Sequence, residues 1–431
     1  MAELAILGGQ PEIPYPLASY RSHGEEERLA ALETIDSGVL SQFLGAAGDL
    51  FKGGPRVQHL EQMTAEKFDS VHAVSFNSWT SGLISAIGAL QLEPGDEVIV
   101  PTWTMAASAT AAIHWGCIPV FADIDEKSFN ISTESIEERI SARTRAIMSV
   151  DIFGQPADMD EINSIAKRLD LRVVSDSAQA PGAVYKGRFA GTLSDIGGYS
   201  LNYHKHIHCG EGGIAFTQDP ELAYRMQLIR NHGEAVVTDD DPGSLANTLG
   251  FNFRMGEIEA AIALEQFKKL GALIADRQRV ANQLNAFFEN LGGVTPPFQA
   301  PDRSHVYYVY GLTLDPDFLG VSRDVFAAAL GAEGVPVMRR YQNIHLLPMF
   351  QHRVAIGSKG FPWSVVPSGD HIDYRKGTCP TAEDLNNRRF LGIPICSYQL
   401  PEADVRSVER AFLKVWESLE RLRDFEQSLA P

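Results

Sequence analysis

From residue 79 to residue 218 the chain alternates short apolar runs with helix-length stretches. The runs at 97–101, 118–123, 146–152, 171–175, 197–201 and 213–216 predict strands, and 81–90, 106–114 and 159–168 predict helices. Parallel strands joined through helices need right-handed crossovers. The pattern therefore predicts an α/β fold with a mostly parallel sheet covered on both faces. The first fifty residues are rich in Gly, Pro and Ser and read as an extended arm with one helix over 25–37. A long helical region runs from Met255 to about Leu291. Past Pro296 the character changes: HVYYVYGLTL (305–314) predicts a strand, 323–330 a helix, and 341–380, rich in His, Pro and Gly, a loop. Val405, Val408, Phe412, Val415 and Leu419 form one apolar stripe on a C-terminal helix. These shifts divide the chain into a large domain with its arm, 1–275, and a smaller C-terminal α+β domain, 276–431.

Composition narrows the function class. The 431 residues carry 37 Lys+Arg against 55 Asp+Glu, a net charge of −18, with no basic block. Nucleic acid and anionic membranes are poor partners for such a chain, whereas a small anion needs only a few local cations or a helix N-terminus. Four scattered cysteines without a CxxC exclude a zinc ribbon and a disulfide framework. The start, MAELAILGGQPEIPYP, lacks the basic and apolar regions of a signal peptide, and no apolar stretch is long enough to span a bilayer. A cytoplasmic enzyme is the expectation.

The chemistry concentrates in residues 173–213, VVSDSAQAPGAVYKGRFAGTLSDIGGYSLNYHKHIHCGEGG. Asp176 ends an apolar strand and is followed by Ser177 and Gln179; ligands of open α/β sheets collect beyond the carboxyl ends of strands. A second strand ends at Ser200, and Lys205 lies five residues on, before Gly210–Glu211–Gly212–Gly213. One segment thus supplies a carboxylate, a hydroxyl and an amine. Pyridoxal phosphate chemistry needs such a set: an amine for the Schiff base, a carboxylate for the pyridine nitrogen, and hydroxyl or N–H donors for the phosphate. Singly, each residue has a plainer use. Lys205 is a surface cation and Asp176 a helix cap, and His204, His206 and His208 shape a pocket more readily than they bind metal. No metal site is expected. GxGxxG and GxxxxGK[ST] loops are absent, which disfavours a dehydrogenase or kinase.

In order and spacing, S175-D176-S177-A178-Q179-A180-P181-G182-A183, S194-D195-I196-G197-G198-Y199-S200, K205 and G210-E211-G212-G213 resemble the signature of the DegT/StrS family of pyridoxal-phosphate-dependent sugar aminotransferases. PGDEVIVPTWT (94–104), GCIPVFADID (116–125) and GFNFRMGEIEAAIAL (250–264) extend the resemblance over nearly the whole chain, and it is weakest in 341–380. It implies a fold-type I transferase that binds pyridoxal 5'-phosphate and passes through pyridoxamine 5'-phosphate. It also implies catalytic roles for Lys205, as covalent anchor and proton carrier, and for Asp176, at the pyridine nitrogen. By the same resemblance Gln179 lies beside the ring and Ser200, Thr80 and Ser81 hold the phosphate. Asn252 reaches the phosphate of the neighbouring subunit in a homodimer whose sites lie at the interface.

Two positions depart from the family. Trp79 stands in NSWTSGL where the family has Gly, and the aromatic that covers the cofactor ring has no single counterpart, Met105, Trp103 and Trp79 being the candidates. The segment from His345 to Pro348 reads either as a substrate loop or as a turn, and Asn252 is also placed to cap the long helix. The implied reaction moves an amino group from glutamate or glutamine to a nucleotide-linked ketosugar. The alternatives are a keto-cyclitol or aminoshikimate-type acceptor, which GGQPEIPYP loosely resembles, and a sugar dehydratase. Dehydratases of the family carry His in place of the anchoring Lys, so Lys205 weighs against that reading.

Overall fold

The computed structural model describes residues 3–233, 247, 249–366 and 372–429. Its central sheet uses β1 (His72–Phe76), β2 (Glu97–Pro101), β3 (Ile118–Ala122), β4 (Thr144–Val150) and β5 (Arg172–Asp176). A two-stranded hairpin, β6 (Val184–Tyr185) and β7 (Arg188–Phe189), precedes the last two strands, β8 (Ile196–Ser200) and β9 (Gly213–Thr217). The spatial order is β1-β9-β8-β5-β4-β2-β3, and β9 alone runs antiparallel to its neighbours. Strands β2, β3, β8 and β9 are buried throughout, as a sheet covered on both faces requires.

The helices are α1 (Glu25–Asp36), α2 (Pro55–Lys67), α3 (Trp79–Ala89), α4 (Ala106–Ile113), α5 (Thr133–Arg139), α6 (Met159–Leu169), α7 (Pro220–Arg230) and α8 (Glu257–Phe288). Successive strand residues point to opposite faces, so Val98 and Val100 join α3, α4 and α7 while Ile99 joins α5 and α6. Behind β8 and β9, α2 and the N-terminal half of α8 complete the second face. Helix α8 is 32 residues long and serves two apolar clusters. Its residues up to Leu270 pack on the central sheet; Val280 to Phe288 pack on a small antiparallel sheet of β10 (Val294–Thr295), β11 (Tyr310–Leu314) and β12 (Phe390–Ile393). The helix Glu402–Glu417 buries Val405, Val408, Phe412 and Val415 in that second cluster.

The structure departs from the sequence reading in four of its features. Strand β1 was not anticipated: its five residues, HAVSF, lie ahead of the alternating region and owe their place to pairing with β9. In 305–314 only Tyr310–Leu314 is strand; before it Tyr307 adopts φ 53, and Val306 and Tyr308 donate N–H bonds to the carbonyls of Gly154 and Phe153 instead. The stretch 341–380 holds short helical turns at Ile344–Leu346, Pro348–His352 and Trp363–Val365, and its residues 367–371 lie outside those described. The N-terminal arm, moreover, packs Leu4 and Ile13 into the cluster around the small sheet rather than on the large one. Among the described residues no helix is long and apolar enough to cross a membrane.

Candidate active site

Strand direction brings the predicted residues to one edge. Asp176 and Ser200 close the parallel neighbours β5 and β8. Because β9 runs back from that edge, the β8–β9 loop with Lys205 must lie there too. Strand β1 ends at the same edge, so α3 begins beside Gly213. A Cβ on Gly213 would lie 2.6 Å from Trp79 Cα and N. The last glycine of GEGG is therefore a close-approach position that lets the helix start against the strand.

These elements enclose a cavity of about 480 Å³ lined by Lys205, Asp176, Gln179, Ser200, Thr80 and Met105. Asp176 is 5% exposed and accepts three bonds: from Trp79 Nε1 (2.8 Å) and the Ala178 N–H (3.2 Å) at Oδ1, and from Ser108 Oγ (2.6 Å) at Oδ2. Thr104 Oγ1 lies 2.6 Å behind Ser108 Oγ. Gln179 is fixed by the Phe153 N–H, which donates to Oε1 at 2.8 Å, and by its own Nε2, which donates to Tyr341 Oη at 3.1 Å. Burial pushes the Tyr341 phenol up to about 12, so it stays protonated.

Lys205 is 5% exposed, and its Nζ sits 4.3 Å from the centroid of the Tyr308 ring. Burial lowers its pKa to about 8, against the opposing pull of the Asp176 charge. Its loop is held from both sides: Tyr20 of the arm donates to the His206 carbonyl at 2.7 Å, and His206 Nε2 donates to the Val306 carbonyl at 2.7 Å. Of the three histidines read as pocket-shaping, only His204 lines the cavity. His206 is wholly buried, and desolvation takes its pKa down to about 3. His208 stands against the ring of His23, with centroids 4.1 Å apart. No group of three His, Cys, Asp or Glu among the described residues is placed to hold a metal.

Helix α3 opens toward the cavity. Ser78 caps it, its Oγ accepting from the Ser81 N–H at 3.1 Å, and Ser78 and Thr80 line the wall. Free N–H groups and the positive end of the helix dipole make such a position suited to phosphate. An amine, a carboxylate and an anion-binding helix start around one cavity fit pyridoxal phosphate in chemistry and in size.

Of the residues expected at the cofactor of their own chain, Ser81 and Trp103 stand outside the cavity lining. Ser81 lies behind the lining, its hydroxyl donating to Asn77 Oδ1 at 2.7 Å. Trp103 is wholly buried among Phe129, Phe153 and Phe390, and its Nε1 donates to Asn343 Oδ1 at 2.7 Å. It therefore does not cover a ring in the cavity. Met105, 64% exposed, stands at the rim. Asn252 is exposed and outside the lining, its Oδ1 accepting from Arg254 Nε at 2.7 Å. Nor does it cap α8, which starts at Glu257 behind Gly256. His345 is buried between Thr102 and Glu383 and belongs to the core rather than to the cavity.

Sequence reasoning missed Ser108, Tyr308 and Tyr341. Ser108 is one small polar residue in the apolar helix AASATAAI, and nothing local says which way it faces. The two tyrosines reach the cavity from loops whose course depends on the second sheet.

Comparison with known proteins agrees with this geometry. Residues 41–387 match the model of the DegT/DnrJ/EryC1/StrS aminotransferase family, whose aminotransferases depend on pyridoxal phosphate, use small-molecule substrates and are generally dimeric. The chain is 36% identical over 300 residues to GDP-perosamine synthase of Caulobacter vibrioides, which covers 69% of this chain and 80% of that one. Among solved structures it is similar to S. venezuelae DesV in complex with a ketimine intermediate, at TM-score 0.76 and 29% identity over 91% of this chain and 95% of the other. It is likewise similar to DesI in the presence of its TDP-sugar product, at TM-score 0.81 and 26% identity over 99% and 98%. The chain is an aminotransferase of the DegT/DnrJ/EryC1/StrS family, with the α/β fold of its fold-type I relatives.

Proposed function

We propose that this enzyme moves an amino group from glutamate or glutamine to the keto group of a nucleotide-linked ketosugar, with Lys205 and Asp176 as its catalytic pair. The observation that carries the reading is that a buried amine and a buried carboxylate share one cavity with the start of α3. The GDP- and TDP-sugar chemistry in the names of two relatives supports the acceptor class.

When bound, pyridoxal phosphate supplies the carbonyl that carries the amino group between substrates and a ring that absorbs the electrons of the deprotonated carbon. The protein's part is as follows. With a pKa near 8, about a quarter of Lys205 is neutral at pH 7.5, against about one in a thousand for an ordinary lysine. The neutral amine is the nucleophile that anchors the cofactor and the base that takes the donor's α-proton. Asp176, its orientation set by Trp79, Ser108 and Ala178, holds a proton on the ring nitrogen. Gln179 would flank the ring, and Ser200, Thr80 and the free N–H groups at the start of α3 would bind the phosphate, with Ser81 shaping that start through its bonds to Ser78 and Asn77. Asn252 reaches the phosphate of the second subunit.

The test is to load the enzyme with pyridoxamine phosphate and offer nucleotide-ketosugars and inososes in turn, following the visible absorbance of the regenerated aldehyde form. Discharge by a nucleotide-ketosugar is expected. Discharge by inososes alone would shift the acceptor to cyclitols, and discharge by neither would overturn the acceptor class.

A further inference from the structure

Trp79 occupies the one position in the phosphate segment where the chain leaves its family's pattern, and the structure gives the indole a specific place. The side chain is 4% exposed, and its Nε1 donates to Asp176 Oδ1 at 2.8 Å. The ring lies over Gly198 of β8, where a Cβ would come within 2.2 Å of Cη2, and over Gly82 of its own helix, where a Cβ would come within 2.5 Å of Cε3. The floor of the cavity is therefore hollowed to admit a large aromatic, and its single polar atom is aimed at the carboxylate.

From this we infer that Trp79 is a positioning residue for Asp176, an inference that rests on the cofactor assignment above. A carboxylate rotates freely about its last torsion unless its oxygens are held. Ser108 fixes Oδ2, and the indole N–H fixes Oδ1, so the carboxylate plane is set before any ligand arrives. A carboxylate accepts about four bonds. Three of those places are taken, two on Oδ1 by the indole and the backbone N–H of Ala178 and one on Oδ2 by Ser108, so one lone pair on Oδ2 is left for a ligand. Trp79 thus supplies from the start of α3 an orienting bond that no glycine there could make, and couples the phosphate-binding segment to the ring-nitrogen carboxylate through one side chain. It acts through Asp176, and its N–H is already engaged.

The test measures the pyridoxal phosphate dissociation constant of the full-length enzyme, together with kcat and KM, for Trp79→Phe alone and combined with Asp176→Ala. Fixing one side chain on binding costs about 3- to 10-fold in affinity. Trp79→Phe is therefore expected to raise the dissociation constant by that factor and to lower kcat while KM for the donor stays within twofold. In the Asp176→Ala background the same substitution is expected to change the dissociation constant less than twofold, because the group it acts through is gone. Should Trp79→Phe not fold, replacing Trp79 by its benzothienyl isostere, which keeps the ring and removes only the N–H, carries the same expectation. An unchanged dissociation constant and kcat, or an equal loss with and without Asp176, would show that Trp79 only fills space and would overturn the inference. Failure of the unaltered enzyme to bind pyridoxal phosphate would overturn the cofactor assignment itself, and the inference with it.

Discussion

The amine of Lys205 lies 4.3 Å from the centroid of the Tyr308 ring, the lysine buried and the tyrosine half-buried. An ammonium there gains some attraction from the ring face but loses its water, and the loss dominates: burial lowers the pKa to about 8. The neutral fraction thus rises as pH climbs through 8. The rate of covalent attachment of pyridoxal phosphate to the apo-enzyme should rise tenfold per pH unit below about 7 and level off above about 9. Stopped-flow absorbance across pH 6–10 reads this directly, and a midpoint near that of an ordinary lysine would contradict it. The same shift acts on folding: between about 8 and 10.5 the unfolded chain holds a proton at Lys205 that the folded one has lost, so this group's contribution to stability grows with pH in that window.

Ser108→Ala removes the donor to Asp176 Oδ2 and leaves Thr104 without its partner. A hydrogen bond to a charged group is worth about 1.5–3 kcal/mol, and part of that is felt in the reaction. We expect kcat to fall about tenfold with the covalent link to Lys205 intact. Steady-state kinetics beside the visible spectrum checks both halves.

Trp103 and Met105, two residues apart, should separate cleanly. Trp103→Phe removes the bond to Asn343 in a sealed core, so it should cost about 1–3 kcal/mol of stability while cofactor affinity stays within twofold. Met105→Ala, at the exposed rim, should leave stability within about 0.5 kcal/mol and change KM for the acceptor. Thermal melts and substrate titrations of the two variants would show the reverse if Trp103 faced the ligand.

These two residues mark how much was readable in the sequence. The strand ends that carry Asp176 and Ser200, and the loop that carries Lys205, follow from the alternation of apolar runs, because parallel strands place their carboxyl ends together. What stayed hidden depends on pairing across long stretches of chain. Strand β1 is defined by β9, some 140 residues later, and Tyr308 enters the cavity because its backbone bonds Phe153 rather than continuing a strand. Trp103 was ambiguous because period alone cannot say which face of a segment next to a strand end meets the ligand.

Asn252 stands exposed beside Asn77, free of the cavity of its own chain. If it serves the partner's phosphate, Asn252→Ala should weaken cofactor binding about 10- to 150-fold. Mixing a Lys205→Ala chain with an Asn252→Ala chain and allowing exchange should then restore activity, since one site of each heterodimer carries neither change. Exchanged mixtures that stay inactive would show that each chain builds its site alone.

The most direct test of the site itself is to reduce the pyridoxal-phosphate-loaded enzyme with borohydride, digest it and locate the pyridoxyl group by mass spectrometry, in the unaltered chain and in Lys205→Ala. The account requires the label on Lys205 alone, and in Lys205→Ala a cofactor that binds without a covalent link. Label on another lysine, or turnover by Lys205→Ala at the unaltered rate, would contradict it.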